Sequence, residues 1–309
     1  MSGAVADPVL SHPSAAARRA RARSFAERNQ GLLFAVPALL ALAALIGYPL
    51  VDTAVLSFTN DAGKFVGWSN YQTILEDDTT SLATYNSVIY VGGSLVLQLV
   101  LGTIAGILLN QRFIGRGPLR TVLLIPWVVP GIVAATTWAW MFHIEFGIVN
   151  YALQKAHVIP APVGWLTDPQ LVLPSVMAVN IWKMFPFVGI MVLAGLQAIP
   201  ETLYEAARVD GATWWQELRH VTLPLMLPTI LVTLVFRLIM AVKVFDEVYL
   251  LTGGGPGMAT EVLSFTIYRR FFTEDRAGYG AAVSVVALFA VAALIILALA
   301  AARRRGTER

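Results

Sequence analysis

A polar stretch between two long apolar segments carries small and charged residues at a spacing suited to recognition of another protein. Its residues are Glu205-Ala206-Ala207, then Asp210-Gly211-Ala212, then Leu223-Pro224. Pro200 is tolerated in a first helical turn and Gly211 suits a left-handed turn, so we expect a short helix over Glu201–Val209. The alanines leave a surface that a partner's groove can approach closely, and the acids offer charges to basic residues there. An ordinary helix–turn–helix connector is the alternative interpretation.

A second group of chemically useful side chains lies inside an apolar segment. Asn180, Lys183, Met184 and Phe187 are three or four positions apart and share one helical face. A charge at bilayer depth usually faces a cavity or a partner. Hydrogen-bonding groups beside aromatic rings suit a sugar, which presents hydroxyls and apolar ring faces. Snorkelling of Lys183 to an interface is the alternative, and we expect Arg237, in a later apolar segment, to pair with an acid on another chain.

Several kinds of active site are excluded by the sequence. There is no cysteine, and the four histidines form no pair at helical spacing, so neither a thiol nor a metal site is expected. Gly253-Gly254-Gly255 suggests phosphate binding, but a P-loop requires a lysine after its glycines and none follows. No Ser/His or paired-acid arrangement lies at membrane depth. We therefore expect no enzyme activity and no cofactor bound by this chain.

Composition identifies the surroundings that must position these residues. The chain has 309 residues, of which 57% are hydrophobic and 13% charged, whereas a soluble domain carries about 25% charged residues. About 20 apolar residues cross a bilayer core. Six segments reach that length, at roughly 32–56, 88–109, 121–142, 171–196, 222–242 and 281–302. The sequence therefore predicts an all-α integral membrane protein with six transmembrane helices.

The order of these segments predicts the organisation of the chain. We expect a disordered basic tail (1–30), a first transmembrane helix (31–57), an outer loop (58–85), a core with five transmembrane helices (86–302) and a second tail (303–309). Residues 200–224, called the polar loop below, interrupt that core. Most of the 22 lysines and arginines fall in segments that lie inside when both termini are cytoplasmic. The polar loop is then cytoplasmic as well.

The motifs together carry a resemblance to a known family. The polar loop is similar to the signature of binding-protein-dependent ABC importer permeases. Four further segments resemble the first permease of carbohydrate importers, the MalF/UgpA type: PLRTVLLIPWVVP (118–130), NIWKMFPF (180–187), LLTGGGP (250–256) and TIYRRFF (266–272). The resemblance runs from about Tyr85 to Leu299.

The resemblance implies a fold, a function and partners. The fold would be that of type I ABC importer permeases, the MetI/MalF-like fold. The chain would form half of a translocation path for a di- or oligosaccharide in the cytoplasmic (inner) membrane of a bacterium or archaeon; glycerol phosphate or a polyol is the alternative substrate. Its partners would be a second, MalG-type permease, two ABC ATPase subunits that carry ATP and Mg, an extracytoplasmic binding protein and membrane lipid, with no nucleic acid.

The resemblance also implies roles for individual residues. Those expected to meet the ATPase are Glu205, Ala206, Ala207, Asp210, Gly211, Leu223 and Pro224. Those expected along the substrate path are Asn180, Lys183, Met184, Phe187, Met240, Ala241 and Val244. Those expected at the outer gate and the binding-protein contact are Asp246, Glu247, Gly254 and Pro256. Because Lys183 and Met184 replace an apolar residue and a glycine of the maltose permease, maltose itself is not assumed as the substrate.

Two other classes of protein remain as alternatives. An ion-coupled secondary transporter would show paired internal repeats and buried acids for coupling, but no repeat is evident and Asp52 is the only acid within a predicted span. A membrane-embedded enzyme would require a reactive constellation that the predicted spans lack. Both alternatives are weaker than the importer hypothesis.

Overall fold

The computed structural model describes residues 34–307, and its first element is a single apolar helix. This helix, α1 (Phe34–Leu56), contains a π-helical turn at Ala43–Gly47. Its side chains are almost all exposed, Phe34 and Leu45 among them. An apolar helix with exposed side chains suits a lipid environment, where the backbone groups are satisfied within the helix. Residues 1–33, including the predicted basic tail, lie outside the described residues, as do residues 308–309.

The remainder of the described chain forms a unit made almost entirely of helices. In chain order these are α2 (Ser69–Glu76), α3 (Asp78–Asn110), α4 (Arg116–Val128), α5 (Gly131–Met141), α6 (Ile148–Lys155), α7 (Val172–Gln197), α8 (Glu201–Val209), α9 (Trp214–Val242), α10 (Asp246–Leu251), α11 (Leu263–Tyr268) and α12 (Ala277–Thr307). Within the described range, the only extended pairing is one bridge between Thr59 and Phe65. Among the residues that the structure describes, five helices, α1 included, are long and apolar enough to cross a membrane, or six spans result if the bent pair α4–α5 counts as one.

The centre of this unit is the packing of α3 against α7. Gly102 and Gly106 lie one turn apart on α3 and face Val188 and Val192 of α7. A Cβ added at Gly102 would stand 2.5 Å from Val188, and one at Gly106 would stand 2.6 Å from Val192. The two backbones are therefore as close as the absence of glycine side chains permits, so this small-residue pair is a packing motif.

The third predicted span, 121–142, is not one straight helix. It is divided into α4 and α5, which are bent by 93° relative to each other. The break lies at Val129 and Pro130, whose ψ angles of 128° and 142° are extended. A proline removes a helical hydrogen bond and disfavours the helical conformation of the residue before it. The third predicted span is therefore present as a broken pair of helices that meet at these two residues.

Three other predicted boundaries also differ from the structure. Helix α3 begins at Asp78, within the predicted outer loop, because Asp77 caps it by accepting from the Thr79 N–H at 3.0 Å. Helix α9 begins at Trp214, so Leu223 and Pro224 lie within a continuous helix and not at its entry. A π-helical turn at Glu217–Thr222 precedes Pro224, which lacks the N–H that regular helical bonding needs. Helix α12 continues through 303–307, which were predicted to be tail.

Candidate functional site

The polar loop begins with the short helix that the sequence predicts. Helix α8 spans Glu201–Val209 and follows Pro200. It ends in a tight turn: Gly211 has φ +78°, and its N–H donates to Arg208 O at 3.0 Å. No atom lies within 4 Å of the position of a Cβ on Gly211. Glycine is therefore favoured here by backbone conformation and not by lack of space.

Side-chain bonds attach α8 to the start of α9. The Tyr204 hydroxyl and Thr222 Oγ1 are 3.1 Å apart, and Arg208 Nε donates to Glu217 Oε1 at 2.8 Å. Thr213 and Gln216 form a capping box at the start of α9. Two side-chain contacts therefore connect α8 to the first turns of α9.

The outward surface of the polar loop consists of small, acidic and apolar side chains. Glu205, Ala206 and Asp210 are exposed, and Ala207 is half-buried. Val209 is 89% exposed and adds apolar surface beside them. Leu223 is also exposed, and Pro224 is half-buried. The surface suits a shallow protein contact flanked by negative charge.

On the predicted substrate path, Asn180 belongs to a chain of hydrogen bonds within the protein. Arg237 donates from Nε and Nη2 to Gln98 Oε1, at 2.9 Å and 2.8 Å. Gln98 Nε2 donates to Asn180 Oδ1 at 2.9 Å, and Asn180 Nδ2 donates to Glu247 Oε1 at 3.0 Å. All four side chains are buried. We call these residues the buried polar chain; it joins α9, α3, α7 and α10.

The buried polar chain changes the interpretation of two residues. Arg237 was expected to pair with an acid on another chain, but its guanidinium is bonded to Gln98 of the same chain. Glu247 was expected at the outer gate, but only 6% of it is exposed and it accepts from Asn180. Gln98 was not singled out from the sequence. An uncharged amide in an apolar span is the signal that could have identified it.

Lys183 and Asp246 come together where the third span breaks. A Cβ added at Gly131, the first residue of α5, would stand 3.2 Å from Lys183 Nζ and 2.8 Å from Asp246 Oδ2. Lys183 is 8% exposed and makes no hydrogen bond or ion pair to the described residues, whereas Asp246 is exposed. The missing side chain of Gly131 thus leaves room for an ammonium and a carboxylate beside the broken helix.

Aromatic side chains lie near Lys183 along α7. Phe187 stacks on Trp127 of α4, with ring centroids 5.6 Å apart, and contacts Phe236 of α9 at 5.1 Å. Trp182 packs edge-on against Trp138 at 5.4 Å. Aromatic rings and the Lys183 ammonium therefore occur on α7 close in sequence to one another, a combination that suits the ring faces and hydroxyls of a sugar.

The remaining predicted path residues divide into accessible and buried ones. Met184 is half-buried and Met240 is 42% exposed, so both offer surface to a ligand. Ala241 and Val244 are buried within this chain, Val244 in the hydrophobic cluster that also contains Val248 and Phe265. Met184, Phe187 and Met240 are thus partly accessible, whereas Asn180, Lys183, Ala241 and Val244 are buried.

The glycine-rich outer segment is held in a defined conformation. Gly254 has φ +85°, and a Cβ there would stand 2.6 Å from Phe265 and 2.8 Å from Glu261 Oε2. The peptide bond before Pro256 is cis. Glu261 accepts from Thr266 Oγ1 at 2.9 Å and forms an ion pair with Arg269 at 3.0 Å. Phe265 and Glu261 thus hold the backbone of this segment at Gly254.

An ion cluster that the sequence did not reveal lies next to this loop. Arg270 Nη2 donates to Asp77 Oδ2 at 2.8 Å and also pairs with Glu274. The Tyr279 hydroxyl donates to the same Asp77 oxygen at 2.8 Å, and Thr80 Oγ1 donates to it at 2.9 Å. Burial alone would raise the pKa of Asp77, but these hydrogen bonds and the charge of Arg270 outweigh it and lower the pKa to about 2. The cluster fixes the start of α3 to α12.

Comparison with known proteins agrees with these features. Residues 98–306 match the family described as binding-protein-dependent transport system inner membrane component. The chain is 36% identical to the trehalose/maltose transport system permease protein MalF of Thermococcus litoralis over 286 residues, which cover 91% of this chain and 96% of that protein. It is 36% identical to the sulfoquinovosyl glycerol transport system permease protein SmoG of Agrobacterium fabrum, over 84% of this chain and 86% of that one.

A solved structure supports the fold. A chain of a bacterial ABC transporter involved in the import of the acidic polysaccharide alginate superposes with a TM-score of 0.81 at 26% identity, covering 92% of this chain and 99% of that one. The prediction of an all-α, type I ABC importer permease fold is confirmed. By sequence and by structure, the chain belongs to the family of binding-protein-dependent transport system inner membrane components, the permeases of ABC importers.

Proposed function

We propose that this chain is the MalF-type permease of an ATP-driven importer for a di- or oligosaccharide. The observation that carries the proposal is the polar loop: α8 ends at a left-handed Gly211, is bonded to α9 and presents an exposed acidic and apolar surface. The saccharide class is supported by relatives named for trehalose/maltose and for diacetylchitobiose uptake. Glycerol phosphate or a polyol remains the second candidate substrate.

The assembly would contain partners that supply energy and substrate. A second, MalG-type permease would complete the path, two ABC ATPase subunits would dock on the polar loop, and an extracytoplasmic binding protein would deliver the sugar. A solved relative, the alginate transporter, was crystallised in complex with a pentasaccharide-bound periplasmic protein, which supports the last of these. ATP and Mg would be bound by the ATPase subunits. Both termini of this chain would lie in the cytoplasm.

The mechanism follows from differential affinity. ATP and the loaded binding protein must bind the outward-facing state better than the inward-facing one, because only such a difference shifts the equilibrium. Closure of the ATPases would push α8, and the bonds of Tyr204 and Arg208 would carry that push into α9. Lys183, Met184 and Phe187 would contact the sugar where α4 and α5 separate. Hydrolysis would then reset the bundle.

The proposal is tested with the purified complex in liposomes, together with its binding protein. ATPase activity is measured across mono-, di- and trisaccharides and glycerol phosphates. Stimulation by a di- or oligosaccharide is the expected result, and stimulation by glycerol phosphate alone would move the assignment to the second candidate. The variant Gly211→Val should insert and assemble but lose stimulated ATPase activity, since valine rarely adopts a positive φ. A fully active Gly211→Val complex would contradict coupling through this loop.

A further inference from the structure

A cavity lies behind α8, away from the predicted substrate path. Its volume is about 760 Å³, and it is a half-open cleft lined by the polar loop, the ends of α3 and α7 and the start of α4. Its charged and aromatic lining consists of Arg112, Arg116, Glu201, Tyr204, Arg208, Trp214 and Glu217. Lys183 and Asp246 do not contribute to it. This space is large enough for a small polar ligand.

The charges around the cavity are not balanced. Arg208 is paired with Glu217 at 2.8 Å, and Arg112 with Glu201 at 3.7 Å. Arg116 makes no hydrogen bond or ion pair to the described residues. One turn further along α4, the buried Arg120 Nε has no hydrogen-bond partner within the described range. Three arginines therefore face two carboxylates, and the excess positive charge is concentrated on the turn between α3 and α4.

Arginine in this arrangement is suited to one class of ligand. The planar guanidinium matches the oxygens of a phosphate and binds them through two parallel hydrogen bonds. The 3.7 Å separation of Arg112 and Glu201, both exposed, is longer than a hydrogen bond, so this exposed pair is weak. Arg112 is accordingly free to turn toward an anion beside Arg116.

We propose that this cavity binds a phosphate-bearing anion, held by Arg116 and Arg112 on the α3–α4 turn and by Arg208 on α8. The inference rests on the proposed function, which places the cavity at the cytoplasmic membrane surface. Two sources of phosphate meet there: anionic lipid headgroups, which bind basic pockets between membrane helices, and soluble phosphates. The bound anion would link α8 to the α3–α4 turn and so stabilise one position of the polar loop.

The test uses the complete purified transporter in neutral detergent. Its Tm is measured while phosphatidylglycerol, phosphatidylcholine or inorganic phosphate is titrated, with chloride as the ionic-strength control. A ligand that binds the folded state raises the Tm in a saturable way. Arg116→Gln should weaken the apparent affinity at least about tenfold, as expected for loss of a charged hydrogen bond. Arg219→Gln is the control, because Arg219 is exposed on the polar loop but does not line the cavity.

Each outcome either identifies the source of the phosphate group or contradicts the proposed anion site. A rise in Tm with phosphatidylglycerol alone identifies a lipid headgroup as the ligand. A rise in Tm with inorganic phosphate as well identifies a site that is open to soluble phosphate. No rise with either, or an equal rise in Arg116→Gln and the wild type, overturns the proposal. If Arg116→Gln does not fold, Arg112→Gln gives the same comparison. Because the readout needs no sugar, failure here is distinct from failure of the saccharide assay.

Discussion

Arg237 and Glu247 are buried on different helices and are joined by two amide side chains. Gln98 accepts from Arg237, and Asn180 donates to Glu247, so every hydrogen bond runs from the cation toward the anion. A buried charge without such a partner is strongly destabilising. The buried polar chain therefore holds the short helix α10 to the long helices α3, α7 and α9.

The first prediction concerns Gln98. Gln98→Leu should lower the free energy of unfolding by about 3 kcal/mol, because it leaves the Arg237 guanidinium buried without its acceptor. Thermal unfolding of the purified protein in detergent measures the change. The double variant Gln98→Leu with Arg237→Met should recover much of the loss. If the destabilisations by Gln98→Leu and by Arg237→Met add in the double variant to within about 0.5 kcal/mol, Gln98 and Arg237 do not act as a unit.

The second prediction concerns the break in the third span. Gly131→Ala should disturb both Lys183 and Asp246, since its Cβ would stand about 3 Å from each. The single variants Gly131→Ala and Lys183→Ala should each weaken the apparent sugar affinity about tenfold, the change expected for the loss of one charged hydrogen bond. Sugar-dependent ATPase activity measures this. Gly117→Ala is the control, because nothing lies within 4 Å of a Cβ there. A change in protein abundance alone would assign Lys183 a structural role.

The third prediction concerns the contact of α3 with α7. Gly102→Ala should cost about 1–3 kcal/mol, because its Cβ would stand 2.5 Å from Val188 and the helices would have to separate. Gly92→Ala on the same helix meets no atom within 4 Å and should be neutral or stabilising. Thermal unfolding distinguishes the two. Adding Val188→Ala to Gly102→Ala should restore stability, and no rescue would count against close packing at this point.

The sequence predicts those features of the architecture that depend on residues close together in the chain, and it does not predict those that depend on distant ones. The bounds of α8, the turn at Gly211 and the glycine packing of α3 follow from local conformational preferences and residue spacing. The partner of Arg237 does not, because Gln98 lies 139 positions away in the chain. Hydropathy identifies the third span but not its bend, since prolines such as Pro126 and Pro186 also occur inside continuous helices.

The ion cluster around Asp77 was the least predictable region, because its members are far apart in the sequence. Arg270 and Asp77 are 193 positions apart, and neither belongs to a motif that suggests the other. The start of α3 at Asp78 follows from a local cap, the Asp77 side chain that accepts from the Thr79 N–H. The pairing of Asp77 with Arg270 is long-range and could not be predicted from local preferences.

The fourth prediction is a pH dependence from Asp77. Its pKa is about 2 in the folded protein against a usual 3.8, so the ionised carboxylate stabilises the fold above pH 3.8. That stability is lost as the pH falls toward 2, because the unfolded chain then binds more protons. The loss should be about 1–2 kcal/mol after solvent screening. Asp77→Asn should remove this dependence, whereas Asp61→Asn, at an exposed position, should leave it. An unchanged profile in Asp77→Asn would assign the acid sensitivity elsewhere.

The most direct test of the account is whether α8 touches the ATPase. The chain contains no cysteine, so Ala206→Cys places one thiol on the exposed face of α8, and Lys64→Cys places one in the predicted outer loop as a control. Each variant is assembled with the ATPase, binding protein and second permease and treated with a short bifunctional thiol reagent, with single cysteines scanned over the ATPase surface. The account predicts a cross-link from Ala206→Cys to the ATPase and none from Lys64→Cys. Cross-linking from Lys64→Cys, or none from Ala206→Cys in an assembled complex, would contradict it.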